Sequence, residues 1–286
     1  MPLTLIDTNM QLIFFDLDGT LLNDESEIST FTRDTLLLLK EKDIAFTVAT
    51  GRTKLSAQRI LAGHNFDLPH IYNNGVTIWD PKLQHLTLDN LLSQAEVASV
   101  INCALVHGIT PFVNAIGFKS EQDHHHVIFH SETRHEAEKR LVEKFFSAPE
   151  AIILPLEALP LDSQVTNISM IGAADTMHKI WMELNRHGNL IAYSGMAIEG
   201  NNLMWLDVHH CLANKGAAVM NLKKQLGASK VMCFGDGDND LSMFALADES
   251  YAPDNAKAEI KRAASSVIGH HHKDGIAHFL RERFSL

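Results

Sequence analysis

Acidic and small polar residues follow three short apolar runs in this chain, each at the point where the run ends. The runs and the segments after them are Leu12–Phe15 before Asp16-Leu17-Asp18-Gly19-Thr20, Ile44–Ala49 before Thr50-Gly51-Arg52, and Val231–Phe234 before Gly235-Asp236-Gly237-Asp238-Asn239-Asp240. An apolar run of about four to eight residues closed by Gly and Asp is typical of a buried parallel strand. Ligands of an open α/β sheet bind beyond the carboxyl ends of such strands. Carboxylates gathered there would repel each other strongly without a cation, so the sequence predicts a divalent metal ion among them.

Four segments of the chain resemble, in the same chain order, the four sequence motifs of the haloacid dehalogenase (HAD) superfamily of phosphotransferases. They are Asp16–Thr20 with Leu21-Leu22, Thr50-Gly51-Arg52, Lys215-Gly216 and Gly235–Asp240. The long interval between the second and third motifs resembles the large α+β cap inserted in the Cof-type phosphatases. The resemblance implies a phosphoric monoester hydrolase that works through an aspartyl-phosphate intermediate, with Mg²⁺ as its cofactor.

The first motif contains two aspartates that suit different steps of phosphoryl transfer. This reaction needs a nucleophile in line with the leaving group and a group that protonates the leaving alkoxide. Asp16, at the end of a strand, suits nucleophilic attack. Asp18 leaves the strand geometry as the chain turns at Gly19, so it can serve as general acid and later as general base. We therefore predict that Asp16 and Asp18 are the catalytic pair.

The second and third motifs suit phosphate binding. Thr50 offers a hydroxyl group, and the backbone N–H of Gly51 can approach a phosphate oxygen without a Cβ in the way. Lys215 is a compact cation that can bridge the Asp16 carboxylate and the phosphate. These residues are predicted to reduce the repulsion between the two anions.

The metal ligands and the remaining contacts follow from the HAD resemblance. It implies a Mg²⁺ site made by the carboxylates of Asp16 and Asp236 and the backbone carbonyl of Asp18. Mg²⁺ prefers oxygen ligands and keeps several waters, which fits so small a set. Leu17 and Asn239 are predicted to contact phosphate, and Asp240 to support Lys215.

Four polar residues near the motifs have alternative interpretations. Arg52 suits either a contact with substrate phosphate or an ion pair with a nearby carboxylate. Asn74 is a possible substrate contact, but a turn at Asn74-Gly75 explains it adequately. Asp238 is predicted to be a solvated turn residue. Asn255 is predicted to cap the helix that follows it, although the HAD resemblance implies that its loop lies near the site.

Two histidine clusters suggest zinc at first sight. They are His124–His126 with His130, and His270–His272. Consecutive histidines point in different directions and rarely bind one ion together. We predict that both clusters lie on solvated loops.

Composition limits the class of protein and its partners. The chain has 286 residues, of which 45% are hydrophobic and 21% charged, values typical of a globular protein. A net charge of −11 argues against nucleic acid as a partner, since nucleic-acid binding needs a basic surface. Three widely spaced cysteines, no apparent signal peptide and no apolar stretch long enough to span a bilayer predict a cytoplasmic protein without a membrane partner.

The elements around the motifs predict two domains. Strands alternating with helices indicate a doubly wound, mainly parallel, Rossmann-like sheet over residues 1–81 and 210–286, with a hairpin at 71–79. Residues 82–209 predict helices on one face of a mostly antiparallel sheet, which is an α+β cap inserted in the core. Predicted helices include one capped by Ser29, one over 52–63 and one over 132–146.

The predicted activity is hydrolysis of a small phosphorylated metabolite, because a large cap would exclude water and macromolecules from the reaction. Sugar phosphates, a phosphorylated cofactor such as pyridoxal phosphate and a pyrimidine diphosphate precursor all fit. Two alternatives remain open at this point: a phosphosugar mutase on the same scaffold, and a non-catalytic protein that binds a phosphometabolite.

Overall fold

The computed structural model describes residues 10–118, 124–131, 136–145, 151–197 and 202–286. The chain divides into two compact units: one runs to Thr87 and resumes over Asn214–Leu286, and the other comprises Leu88–Ala213. The predicted boundaries, at residues 81/82 and 209/210, lie a few positions from these limits. The opening residues, in which we predict no signal peptide, lie outside the described part of the chain.

Strands and helices are numbered in chain order. The strands are β1 (Gln11–Phe15), β2 (Ala45–Val48), β3 (His70–Tyr72), β4 (Thr77–Asp80), β5 (His85–Leu88), β6 (Phe112–Phe118), β7 (His124–Phe129), β8 (Ala151–Leu154), β9 (Gln164–Ala173), β10 (Leu190–Met196), β11 (Leu203–His210), β12 (Lys230–Phe234), β13 (Glu249–Pro253) and β14 (Ser266–Ile268). The helices are α1 (Thr30–Glu41), α2 (Lys54–Leu61), α3 (Gln94–Val106), α4 (Glu136–Phe145), α5 (Ala174–Leu184), α6 (Lys215–Leu226), α7 (Leu241–Phe244), α8 (Ala258–Ala263) and α9 (Gly275–Phe284).

Five strands of the first unit form a parallel sheet in the order β14-β13-β12-β1-β2. Alternate residues of β1 face opposite sides of this sheet. Ile13 and Phe15 pack with residues of α1 and α9, whereas Leu12 and Phe14 pack with residues of α6, α7 and α8. Helices therefore bury both faces, which explains why β1 is continuously apolar. The predicted doubly wound α/β core is confirmed.

A small three-stranded sheet, β3-β4-β5, accompanies the parallel sheet in the first unit. Its first two strands form the predicted hairpin, in which Tyr72 lies opposite Thr77. The connecting residues Asn73, Asn74 and Gly75 have φ angles of 50°, 53° and 104°. Asn and Gly adopt such left-handed conformations more readily than other residues. The first unit extends past residue 81 because β5 joins this hairpin as a third strand.

The second unit is a six-stranded sheet in the order β10-β11-β9-β6-β7-β8. Its strands are antiparallel except for the parallel pair β7–β8. Buried residues of α3 and α5, such as Val100 and Ile180, pack against sheet residues such as Ile168 and Val208. These two helices therefore cover one face of the sheet, and the unit has the predicted α+β architecture.

The first histidine cluster lies in a strand, so the prediction of a solvated loop is wrong for His124–His126. These residues open β7, where His125 lies opposite Gly117 and His126 opposite Ile116 of β6. The His126 side chain is buried, and its Nε2 lies 3.1 Å from Oδ1 of Asn114. Pairing with a neighbouring strand, which local polarity does not reveal, decides the conformation here. The second cluster, His270–His272, lies in the turn before α9.

Two of the predicted helices begin with a side-chain cap, and one of them is shifted by two residues. Ser29 caps α1 as predicted, accepting a 3.0 Å hydrogen bond from the Thr32 N–H. The next helix, α2, begins at Lys54 rather than residue 52, because the Thr53 side chain caps it. Residues 132–135 and 146, at the ends of the helix predicted over 132–146, lie outside the described residues. None of the helices in the described ranges combines the length and the apolar character needed to cross a bilayer.

Candidate active site

Three parallel strands of the first unit bring the motif residues to one edge of the sheet. Phe15 at the end of β1 lies opposite both Val48 of β2 and Phe234 of β12. The ladder continues past these residues, since the Asp16 N–H donates to the Phe234 carbonyl and the Ala49 N–H to the Phe15 carbonyl, both at 2.9 Å. The segments after the three strands are therefore neighbours, as the sequence predicts.

The Lys215 side chain is completely buried between two carboxylates. Its Nζ donates to Oδ1 of Asp16 at 2.5 Å and to Oδ1 of Asp240 at 2.6 Å. The other Asp240 oxygen accepts hydrogen bonds of 2.9 Å from the backbone N–H groups of Asp236 and Gly237. Asp240 thus fixes the lysine and shapes the loop that carries Asp236.

Asp236 lies directly against the turn that follows Asp16. Its Oδ1 accepts a 3.0 Å hydrogen bond from the Thr20 hydroxyl. Gly19 has a φ of +70°, and a Cβ at this position would lie 2.4 Å from Oδ2 of Asp236. A glycine is therefore needed both for the backbone conformation and for the close approach of this carboxylate.

Asn255 supports the same turn from the loop after β13. Its Nδ2 donates to the Gly19 carbonyl at 2.7 Å, and its Oδ1 accepts from the His271 N–H at 3.1 Å. The prediction that Asn255 caps the following helix is wrong, because Lys257 occupies the residue before α8. The contact joins positions far apart in the chain, and the only signal for it in the sequence is the HAD resemblance, which implies that this loop lies near the site.

Arg52 forms a two-pronged ion pair with Asp18. Its Nε donates to Oδ2 at 2.7 Å and its Nη2 to Oδ1 at 2.6 Å. Of the two alternatives for Arg52, the structure contains the pair with a carboxylate. The Asp18 side chain is 55% exposed, against 14% for Arg52. Asp18 is therefore the accessible carboxylate of the first motif, whereas Asp16 is buried.

Two asparagines adjoin the second motif. Nδ2 of Asn239 donates to Oδ1 of Asn74 at 2.9 Å, and the Asn74 N–H donates to the Thr50 carbonyl at 3.0 Å. A Cβ at Gly51 would lie 3.3 Å from that same Asn74 oxygen. Asn74 is thus more than a turn residue, since it connects the second and fourth motifs.

Two other predicted residues, Leu17 and Asp238, make fewer contacts in the site. The Leu17 side chain is fully buried, so only its backbone can contact a phosphate. Asp238 pairs with Lys257 at 2.9 Å, and both side chains are largely exposed. Asp238 is therefore the surface turn residue that the sequence predicts.

Burial and crowding of negative charge set the electrostatics of the site. Burial raises the pKa of Asp16 well above its usual range, and the charges of Asp240 and Asp236 add to this rise although Lys215 opposes it. Burial likewise raises the pKa of Asp236 to about 6. For Lys215, burial acts to lower the pKa, but the charges of Asp16 and Asp240 outweigh it and the pKa rises.

The carboxylates fit a hard divalent cation. Oxygen atoms of Asp16, Asp236 and Asp240 all lie within 4.8 Å of one another. Both Asp240 oxygens already accept hydrogen bonds from Lys215 or from the backbone, so Asp16 and Asp236 are the better candidates for ligands. An all-oxygen set of this kind suits Mg²⁺.

The chain combines a doubly wound α/β unit with an inserted α+β unit, and a buried lysine lies between carboxylates at the strand ends of the first. These features define a class of two-unit α/β enzymes. The chain belongs to the haloacid dehalogenase-like hydrolases, whose family model matches residues 13–280. The recognition made from the four motifs is therefore confirmed. Membership of a hydrolase family also favours an enzyme over a non-catalytic binding protein.

Individual relatives agree with this family. An HMP-PP phosphatase from Escherichia fergusonii is 28% identical over 277 residues, which cover 94% of each chain. A haloacid dehalogenase-like hydrolase from Bacteroides thetaiotaomicron has a similar fold, with a TM-score of 0.76 at 22% identity over 96% of this chain and 100% of the other. A HAD subclass IIB sugar phosphatase superposes with a TM-score of 0.76 at 21% identity, over 96% and 99% of the two chains.

Proposed function

We propose that the protein is a Mg²⁺-dependent phosphatase that hydrolyses a small phosphorylated metabolite through an aspartyl-phosphate intermediate. The observation that carries the proposal is the contact of Lys215 with both Asp16 and Asp240, beside Asp236. This arrangement provides a buried carboxylate, a fixed cation and a second carboxylate for a metal ion. Those are the parts that phosphoryl transfer requires.

Asp16 acts as the nucleophile. One of its carboxylate oxygens forms a bond to phosphorus while the bond from phosphorus to the leaving alkoxide breaks. Lys215 reduces the repulsion between this carboxylate and the incoming phosphate, and Thr50, the Gly51 N–H, the Leu17 N–H and Asn239 bind the phosphate oxygens. Asp240 keeps Lys215 in place, because both of its oxygens are held by hydrogen bonds.

Asp18 acts as the general acid and base. In its protonated form it gives its proton to the leaving alkoxide, and it then removes a proton from the water that attacks the aspartyl-phosphate. Arg52 holds Asp18 before substrate binds. Substrate phosphate competes with Asp18 for the guanidinium group, so the ion pair opens as substrate enters. The freed Asp18 carboxylate then takes a proton from water and passes it to the leaving alkoxide.

Asp16, Asp236 and the Asp18 carbonyl would hold the Mg²⁺ ion. When bound, the ion supplies positive charge to the nucleophile and to the phosphate oxygens. Gly19 and Thr20 orient Asp236 for this role, and Asn255 fixes the turn that carries them.

Substrate choice is assigned to the inserted unit and catalysis to the other unit. The relatives include an HMP-PP phosphatase and a sugar phosphatase, so HMP-PP and sugar phosphates are the first compounds to test, followed by pyridoxal phosphate. A small phosphorylated metabolite is thus the proposed partner, without nucleic acid or membrane. All three cysteines are free thiols, which supports a cytoplasmic location.

The test is phosphate release from a panel of these compounds, with Mg²⁺ and with a chelator. We expect release that needs Mg²⁺ and is lost in Asp16→Asn but retained in Asp238→Asn, a matched change at the exposed aspartate paired with Lys257. Release that survives Asp16→Asn would contradict the assigned nucleophile. Transfer of phosphate within a sugar, dependent on a bisphosphorylated activator, would indicate a mutase instead.

A further inference from the structure

A cysteine, a histidine and a glutamate meet between α3 and α5 of the second unit. Cys103 lies on α3, His107 directly follows this helix, and Glu183 lies on α5. The possible ligand atoms of these three side chains all lie within 4.8 Å of one another. This cluster, here called the α3–α5 triad, belongs to a different unit from the predicted catalytic residues.

Helical spacing explains why the triad converges. Residues four apart on a helix lie one above the other on the same face. The His107 N–H still donates to the Cys103 carbonyl, at 3.3 Å, so the helical turn between the two residues is intact. One turn earlier on the same face, the Ser99 hydroxyl lies 3.3 Å from Nε2 of His187. The face of α3 that carries Cys103 and His107 is therefore turned towards the end of α5.

We propose that Cys103, His107 and Glu183 bind a zinc ion, with the fourth coordination position open to water or a further ligand. Thiolate, imidazole and carboxylate are the three protein groups that zinc favours. The Mg²⁺ proposed for the first unit would not compete, because Mg²⁺ requires oxygen ligands. The zinc site is also independent of the proposed phosphatase reaction.

The distance between the His107 and Glu183 ligand atoms matches tetrahedral coordination. Nε2 of His107 lies 3.3 Å from Oε2 of Glu183. Nitrogen and oxygen ligands bound at about 2.0–2.1 Å in a tetrahedron lie roughly 3.3–3.4 Å apart. The spacing of the His107 and Glu183 ligand atoms therefore corresponds to one edge of a zinc coordination tetrahedron.

Accessibility also suits a metal site. Cys103 is 5% exposed, whereas the side chains of His107 and Glu183 are 26% and 58% exposed. An ion can thus enter from the surface and meet a sulfur atom at the inner end of the site.

The experiment uses the whole 286-residue chain, reduced, freed of transition metals and kept in excess Mg²⁺. Co²⁺ replaces zinc as a spectroscopic probe and is titrated while the thiolate-to-cobalt charge-transfer band in the near ultraviolet is recorded. We expect a band that saturates at one Co²⁺ per chain and disappears when one equivalent of Zn²⁺ is added. Metal bound to the His270–His272 cluster cannot produce this band, because it has no sulfur ligand.

Variants identify the ligands. Cys103→Ser should abolish the band, whereas Cys211→Ser, the matched change at another free cysteine, should leave it unchanged. His107→Gln and Glu183→Gln change partly exposed side chains, so they test the site even if Cys103→Ser fails to fold. Each should weaken Co²⁺ binding roughly tenfold or more. His178→Gln, elsewhere on α5, should alter it less than about twofold.

Several results would overturn the proposal. These are the absence of a charge-transfer band, a band that persists in Cys103→Ser, and Co²⁺ affinity that is unchanged in both His107→Gln and Glu183→Gln. Displacement of Co²⁺ by Mg²⁺ would overturn it as well.

Discussion

Replacing Asp240 by asparagine should destabilise the first unit without changing the size of the side chain. One Asp240 oxygen accepts a hydrogen bond of 2.6 Å from Lys215. The other accepts hydrogen bonds of 2.9 Å from two backbone N–H groups. An asparagine offers only one acceptor oxygen. Its amide group must therefore point N–H donors either at the lysine or at the backbone donors, and one contact is lost in either orientation.

The expected cost follows from burial. Lys215 and Asp240 are both fully buried, so the lysine cannot recover its lost contact from water. Removing one partner of a buried ion pair typically costs about 3–5 kcal/mol. Asp16 still pairs with Lys215, and the change removes one source of repulsion from Asp16, so the lower end applies. We expect the free energy of unfolding to fall by about 3 kcal/mol.

Urea unfolding followed by tryptophan fluorescence measures this change. Trp79 belongs to the first unit and Trp181 and Trp205 to the second, so a Trp181→Phe, Trp205→Phe background makes the signal specific for the first unit. Asp238→Asn, on the same loop but at an exposed ion pair, is the control and should cost less than about 1 kcal/mol. A loss in Asp240→Asn no larger than in this control would refute the reasoning.

Two other changes give equally direct tests. Gly19→Ala should raise the Mg²⁺ concentration for half-maximal activity about tenfold or more, because the added Cβ would lie 2.4 Å from Asp236. Gly63 has a similar φ of +81° but open space around it, so Gly63→Ala should leave that concentration unchanged. Equal effects of the two changes would contradict the role of Gly19. Burial lowers the pKa of His126 in the folded protein to about 4, from 6.5 when unfolded, so the unfolded chain binds the extra proton between these pH values and stability falls as pH decreases. This histidine should therefore contribute a loss of about 2 kcal/mol at pH 5 relative to pH 7.5 in urea unfolding, a loss absent from His126→Gln; the same pH dependence in both proteins would show that another group is responsible.

The core and much of the candidate site could be predicted because the relevant information is local. Asp16 and Asp236 each follow an apolar run, and parallel pairing of adjacent strands brings such positions together without any long-range detail. The contact of Lys215 with Asp16 and Asp240 was likewise expected from the motifs, and the structure contains it.

What could not be predicted depends on contacts between distant residues. The hydrogen bond from Asn255 to the Gly19 carbonyl joins two loops that are far apart in the chain. The residues of one loop do not indicate that it contacts the other. His126 lies in a strand because β6 pairs with it, although three consecutive histidines suggest a loop. Cys103 and His107 are visibly four residues apart in the sequence, but only the packing of α5 on α3 adds Glu183.

Charge balance connects the folding of the site with its proposed chemistry. Three carboxylates, those of Asp16, Asp236 and Asp240, share one buried ammonium group, so two negative charges remain uncompensated. A divalent ion carries the charge that would offset them, and burial makes this compensation strong because little water screens it. Binding the ion should therefore stabilise the first unit as well as enable attack on phosphate. An increase in the urea midpoint with Mg²⁺, absent from a variant that lacks the Asp236 carboxylate, would show that the ion binds at this carboxylate and stabilises the unit.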